Sequence, residues 1–429
     1  MAFSRILVSA LVALAGAQQE ECLPTGECAA PSTAMLQSRS RAAAETTDEG
    51  HERKATTQCT GTRRKVAIFM DGTGNELQDR CDWLPNKLCE TNIARMYRLA
   101  KEIPEAKQVS YYEPGVASSQ FPDESYQFGV GTKNHFLRAY NWLVDNYRLC
   151  DEIYLFGFSR GAHSSRMLQG ALHRVGLAMK GHAAEAEVAH FASDASQASA
   201  FKASHKSLSV EVHFFGMFDG VLRTLMSPNG EHSNIEKFHL QMTSTVKTFA
   251  HAMALSEHRE IFDTNELYTD PSTSSTQAWF VGQHADVGGG YPTTELSNIP
   301  MGWVLDKAAE AGLQLPADWR SRPANAGNIL GDAYTELGLD AIGSILQGIN
   351  LEKVFAIATV RNPALCRAEM GKAGQKLLLH KSVQDRMHQN NGWVPLQWCC
   401  SKVKAAMDAA GIEYITNTHY DTAATATKV

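Results

Sequence analysis

The sequence predicts an α/β fold: a mostly parallel sheet with helices on both faces. Three observations carry that expectation. From Lys65 onward, short β-rich runs alternate with helical ones, an order that feeds parallel strands through crossover helices. The apolar run Glu152 to Phe156 leads into Gly157-Phe158-Ser159-Arg160-Gly161 and then into a helix-forming stretch, which is the G-x-S-x-G strand–turn–helix pattern. Finally, Ser159, Asp219 and His284 each stand just past a β-rich run, where the loops of a parallel sheet collect functional groups.

In chain order, Met1 to Arg5 supplies a positive start and Ile6 to Ala17 an apolar core ending in small residues. The expectation is a secretory signal peptide over 1–17 and secretion of the chain, with an uncleaved anchor as the alternative. Gln18 to about Thr62 is rich in Ala, Ser, Thr, Glu and Gln with little apolar periodicity, so 18–62 reads as a disordered leader or propeptide. Residues 63–312 read as the catalytic domain, and 313–429 as an extension packed on it.

Within the domain, KVAIFM at Lys65 to Met70 is the first strand and is stopped by Asp71-Gly72-Thr73-Gly74-Asn75. Thr91 to Lys101 puts Ile93, Met96, Tyr97 and Ala100 on one helical face. QVSYY at Gln108 to Tyr112 is a strand, and His135 to Tyr147 a helix. After the elbow helix, Met179 to Ser207 is Ala-, His- and Ser-rich and reads as a helical insertion rather than a lid. Val210 to Phe218 is a strand ended by Asp219-Gly220, Glu231 to Phe262 is expected to be helical at its end, and QAWFV at Gln277 to Val281 is a strand opening into a glycine-rich turn. Met301 to Ala311 is a helix stopped by Gly312, and beyond about residue 320 the pattern blurs.

Composition narrows the function. With 44% hydrophobic residues and a formal net charge of -6, the chain is globular and lacks the basic balance that nucleic acid requires. Nine cysteines in a chain read as secreted suggest disulfides, with Cys22–Cys28 and Cys81–Cys89 near enough in sequence to close small loops. No pair of cysteines with histidines at zinc spacing is present.

A serine hydroxyl is a weak nucleophile until a histidine takes its proton, and that histidine needs a carboxylate to hold its tautomer. Ser159, Asp219 and His284 supply those groups in the chain order Ser, Asp, His. The oxyanion donors would be the backbone N–H of Arg160 with one from Gly72 or Thr73, in a turn able to aim N–H groups at a ligand. Plainer readings stand beside these. Asp219-Gly220 could be a turn, His284 a structural histidine, and Asp71 could cap its own backbone. His163, one turn beyond Ser159, suits a structural or lip role, and His251 and His258 suit packing or surface. Asp286 could orient its loop or compete as the acid. Asp71, Asp219, His284 and Asp286 could instead hold a hard or borderline cation in a metal-dependent phosphoesterase. A hydrolase-like module without catalysis is the third alternative.

Six stretches, FMDGTGN (69–75), YYEPGV (111–116), LFGFSRGA (155–162), FFGMFDGV (214–221), HAMALSEHR (251–259) and GQHADVGGGYP (282–292), together resemble an uncharacterised α/β-hydrolase family that includes bacterial type VI secretion phospholipase effectors. The resemblance covers roughly residues 63 to 312. It implies an α/β-hydrolase core, the triad Ser159, Asp219 and His284, and hydrolysis of phospholipid acyl esters. The serine mechanism itself calls for no cofactor, and the expected partner is a lipid or other ester substrate, with peripheral membrane contact. The chain departs from the family at Gly220, where threonine is usual, and Val221 to Lys247 carries none of its motifs. A secretory signal also differs from the type VI route.

Overall fold

A computed structural model describes residues 59, 62–77, 89–116, 118–120, 130–221, 241–257, 267, 269–291, 294–322, 377–389 and 411–416. The expectations for a signal peptide and a leader, the Cys22–Cys28 and Cys81–Cys89 pairings, and His258 involve residues outside this set.

Eight parallel strands form one sheet. Strands β1 (Lys65–Met70), β2 (Gln108–Glu113) and β3 (Glu152–Phe158) alternate with helices α1 (Asn92–Lys101) and α2 (Val130–Asn146). Helix α3 (Arg160–Arg174) follows β3 directly. A small antiparallel pair, β4 (Leu177–Ala178) with β5 (Ser207–Leu208), pins the ends of the insertion that holds α4 (Ala183–Phe191) and α5 (Ala195–Ala203). Strands β6 (Val212–Phe218), β7 (Val246–Ala254) and β8 (Ser274–Phe280) come next, then α6 (His284–Gly288) and α7 (Glu295–Glu310). Late in the chain lie β9 (Leu377–His380), α8 (Lys381–Gln389) and β10 (Ile412–Ile415).

The strand order is β10-β9-β8-β7-β6-β3-β1-β2, and every pairing in it is parallel. The chain runs from β1 out to β2 at one edge, then crosses back to β3 on the other side of β1. That reversal opens a crevice at the carboxyl ends of β1 and β3, where ligands bind in open α/β sheets. Strand β1 is buried along its whole length, as a central parallel strand must be. One face of the sheet packs Ile68, Leu155 and Phe215 against Phe136 of α2 and Leu168 of α3. The other packs Phe69, Phe156 and Phe214 against Ile93 of α1 and Trp303 of α7. Each such side chain, fully removed from water, contributes about 1.5–3 kcal/mol. The fold is α/β-hydrolase-like.

Three elements differ from the sequence expectation. The stretch from His251, expected to be helical, instead runs in the sheet: 251–254 complete β7, Val246–Ala254. The run VKTFAHAMA is rich in Ala and Met, which favour helix in isolation, but burial between β6 and β8 overrides that preference. Helix α7 starts at Glu295, earlier than Met301, and carries Pro300 within it. Proline signals a helix stop in sequence; here Pro300, the sixth residue of the helix, forgoes one N–H···O=C bond, to the Leu296 carbonyl, and the helix continues past it. Strands β9 and β10 extend the sheet beyond β8; each is four residues long, too short for a period to show.

Cys59 and Cys150 form a disulfide spanning 91 residues of sequence, next to the ion pair of Arg64 with Asp151. Cys89 is disulfide-bonded as well. Among the described residues, no helix is long and apolar enough to cross a membrane.

Candidate active site

Ser159 sits between β3 and α3 with φ 54° and ψ -122°. For a residue with a Cβ this backbone costs roughly 1–3 kcal/mol and persists only where neighbours enforce it. The enforcement is visible. The Ser159 N–H donates to the Phe218 carbonyl at 3.1 Å, which ties the turn to the end of β6. A methyl group on Gly161 would lie 2.2 Å from the Met70 carbonyl oxygen, so only glycine lets the helix start pass this close to β1.

Asp219 is the residue after β6. In the sheet Phe158 pairs with Phe218, so the next residue along each strand, Ser159 and Asp219, share one rim. The Asp219 carboxylate is fully buried. Its Oδ2 is 2.7 Å from His284 Nδ1, and its Oδ1 accepts the Ala254 N–H at 2.8 Å. With Nδ1–H donating to the carboxylate, the other ring nitrogen, Nε2, is the one left basic.

His284 opens the short helix α6 and is 6% exposed. The Phe158 ring packs on the imidazole at a centroid distance of 4.6 Å. Phe158 also meets Gly288, where a methyl would fall 1.9 Å from the ring. The residue before the serine thus packs against both the imidazole and the end of α6. The G-x-S-x-G spacing leaves that position open, so sequence reasoning passed over it. Glu257, also passed over, is 1% exposed, and its Oε2 accepts the His284 backbone N–H at 3.1 Å.

The loop after β1 requires a correction. Gly72 was expected to offer its N–H to an oxyanion. That N–H instead donates to Asp71 Oδ1 at 2.7 Å, because a buried carboxylate takes the nearest donor. Asp71 also accepts from the Thr91 hydroxyl at 2.8 Å and from the Tyr112 hydroxyl at 2.6 Å. Burial pushes its carboxyl up to about 6, against the pull of those hydrogen bonds. Thr73, the other expected donor on this loop, has a buried hydroxyl oxygen without a hydrogen-bond partner. Arg160 is the first residue of α3, where backbone N–H groups precede any intrahelical acceptor.

The remaining candidates fall away from the centre. Asp286 Oδ2 accepts the Gln283 N–H at 2.8 Å and caps α6, so it orients the loop and does not face Nδ1. His251 is buried on β7, where its Nε2 accepts the Gly220 N–H at 3.3 Å. His163 is buried in α3, and burial with the nearby Arg166 charge holds it well below the usual histidine range. Asp71, Asp219, His284 and Asp286 do not form a common ligand set, and among the described residues no group of three His, Cys, Asp or Glu could hold a metal ion. A surface cavity of about 440 Å³ lies against α4 and α5, lined by Ala184, Val188 and Phe201 among others and by none of the candidate site residues.

Comparison with known families matches residues 64–307 to the T6SS phospholipase effector Tle1-like catalytic domain. That is more than half of the chain. The chain belongs to this family. The protein YEL023C of Saccharomyces cerevisiae, itself uncharacterised, is 30% identical over 210 residues, covering 40% of this chain and 29% of the yeast protein. The chain therefore spans less than a third of that relative's length. Among solved structures, a Tle1 effector bound to the VgrG spike of the type VI secretion system is similar at 15% identity and TM-score 0.40, covering 76% of this chain and 90% of that one. An esterase from Thermogutta terrifontis is similar at 14% identity and TM-score 0.32, covering 59% of this chain and 84% of that one.

Proposed function

We propose that the chain is a serine hydrolase of carboxylic esters, of the phospholipase or lipase type, working through an acyl-enzyme. The observation that carries the proposal is the buried pair of His284 Nδ1 and Asp219 Oδ2 at 2.7 Å, on the rim where Ser159 stands in its strained turn. Family membership supports the lipid class of substrate.

In the reaction, His284 Nε2 takes the Ser159 hydroxyl proton as Oγ attacks the ester carbonyl carbon. Asp219 holds the imidazole and stabilises the imidazolium that forms. The N–H groups of Arg160 and Thr73 are the donors proposed for the oxyanion, with Gly72 committed to Asp71. As the tetrahedral intermediate collapses, His284 returns the proton to the leaving alcohol oxygen. Water, deprotonated by the same nitrogen, then releases the carboxylic acid and restores Ser159. The chemistry needs no cofactor. A lipid substrate would bring the chain to a membrane surface as a peripheral protein, and the apolar N-terminal run makes secretion part of the proposal.

The test is hydrolysis of a panel of acyl esters and phospholipids by wild type and Ser159→Ala. The expected result is turnover of at least one ester by wild type, unaffected by a chelator and absent from the variant. Turnover that survives Ser159→Ala would contradict it.

A further inference from the structure

The HAMALSEHR stretch takes no part in the chemistry proposed above, yet its described residues hold both partners of the His–Asp pair. Three successive backbone groups at the end of β7 tie down the surrounding loops. The Ala254 N–H donates to Asp219 Oδ1 at 2.8 Å. The Leu255 N–H donates to the Phe280 carbonyl, and the Ser256 N–H to the Gly282 carbonyl, each at 2.9 Å. Phe280 and Gly282 lead into His284. The next residue, Glu257, reaches the same loop with its side chain, Oε2 accepting the His284 N–H at 3.1 Å.

A carboxylate that is 1% exposed is costly to bury without strong donors. One donor to it is the backbone N–H of the proposed base. That N–H lies at the start of α6, where no intrahelical acceptor exists, and the Glu257 side chain accepts it. The imidazole is then fixed at two points: by Asp219 at Nδ1 and by Glu257 at the backbone.

We infer that Glu257 is a positioning residue for His284, and that the β7 end, Ala254 to Glu257, is a clamp that fixes acid and base relative to one another. This rests on the Ser159–His284–Asp219 reading. Glu257 touches no reacting atom; it acts through the His284 main chain. Loss of such a contact misplaces the base by a fraction of an ångström to an ångström, and displacements of that size lower rates by up to about 100-fold.

The experiment compares wild type, Glu257→Ala, Glu257→Gln and Glu257→Asp in the full chain, with Ser159→Ala as control. It reads kcat and KM on an ester, thermal melting, and amide hydrogen exchange over residues 282–286. Glu257→Ala is expected to lose about 10- to 100-fold in kcat with KM held, and to exchange faster at His284. Glu257→Gln keeps an oxygen acceptor and should recover kcat to within a few-fold of wild type. Glu257→Asp, one methylene shorter, draws the oxygen back; it should fall several-fold in kcat and serves if the alanine variant does not fold. Wild-type kcat in a folded Glu257→Ala, beside an inactive Ser159→Ala, would overturn the inference alone. So would equal losses in Ala and Gln with exchange at His284 unchanged. Full activity in Ser159→Ala would instead remove the reading beneath it.

Discussion

The two halves of the site are held in place by different physics. On the β6–β7–β8 side, Asp219 and His284 are fixed by hydrogen bonds: to each other, to Ala254 and to Glu257. On the β1–β3 side, Ser159 is fixed by shape. Its strained backbone is held between Gly161, which passes against the Met70 carbonyl, and the end of β6. The contrast follows from what each half must do. The proposed base has to keep one tautomer and move a proton, which directional bonds enforce. The proposed nucleophile has to stand clear of the sheet, and close packing of backbone achieves that.

The comparison is broken most strongly from the hydrogen-bonded side. Replacing Asp219 with Asn leaves the volume unchanged but puts a donor where the carboxylate accepts the Ala254 N–H and faces Nδ1. The wrong tautomer should then lower kcat by roughly 10³–10⁴-fold, with little change in melting. Steady-state kinetics on the best ester of the panel reads this directly, and kcat within tenfold of wild type would show that the pair does not serve catalysis.

Breaking the steric side should act on folding first. A methyl at Gly161 has no room between α3 and β1, so Gly161→Ala is expected to destabilise the chain by about 3–5 kcal/mol. Denaturant unfolding checks this. A variant that unfolds with the wild-type midpoint would mean the elbow is looser than its geometry.

Away from both halves, the Cys59–Cys150 disulfide closes a long loop at the opposite end of the sheet. Removing it with Cys59→Ser should cost about 2–4 kcal/mol of stability while leaving kcat alone. A change in kcat at a temperature where the variant is folded would show that the two ends of the sheet communicate.

A pH dependence is expected from Asp71. Its carboxyl is raised by burial to about 6 from 3.8. A raised acid favours the protonated folded state, so this contribution is fully present below pH of about 4 and is lost as pH rises through about 6. The two-unit difference corresponds to on the order of 3 kcal/mol. Wild-type stability measured between pH 4 and 7 should fall more steeply than that of Asp71→Asn. Parallel curves would mean Asp71 ionises as easily in the fold as in the unfolded chain.

Much of this was legible in the sequence because it was written in runs. The GFSRG turn, HFFGMF and QAWFV each announce a strand or an elbow over several residues, and Ser159, Asp219 and His284 stand in or just past them. What stayed hidden depends on single contacts between distant residues. Glu257 looks like any loop acid until the His284 N–H, 27 residues later, arrives beside it. Gly72 was legible both as a free donor and as the cap of its neighbour Asp71, and only the burial of Asp71 decides between them. Strand β7 was masked by its own composition, since Ala and Met state a helical preference that only two flanking strands overrule. The packing of Phe158 against the end of α6 needs the folded position of Gly288 to be seen at all.

The most direct test of the central claim is the mass-spectrometric location of the adduct formed with a fluorophosphonate ester, which reports nucleophile activation without knowledge of the natural substrate. The account predicts one adduct, on Ser159 in wild type, and none in His284→Ala under the same conditions. An adduct on another residue, or undiminished labelling of Ser159 once His284 is gone, would contradict it.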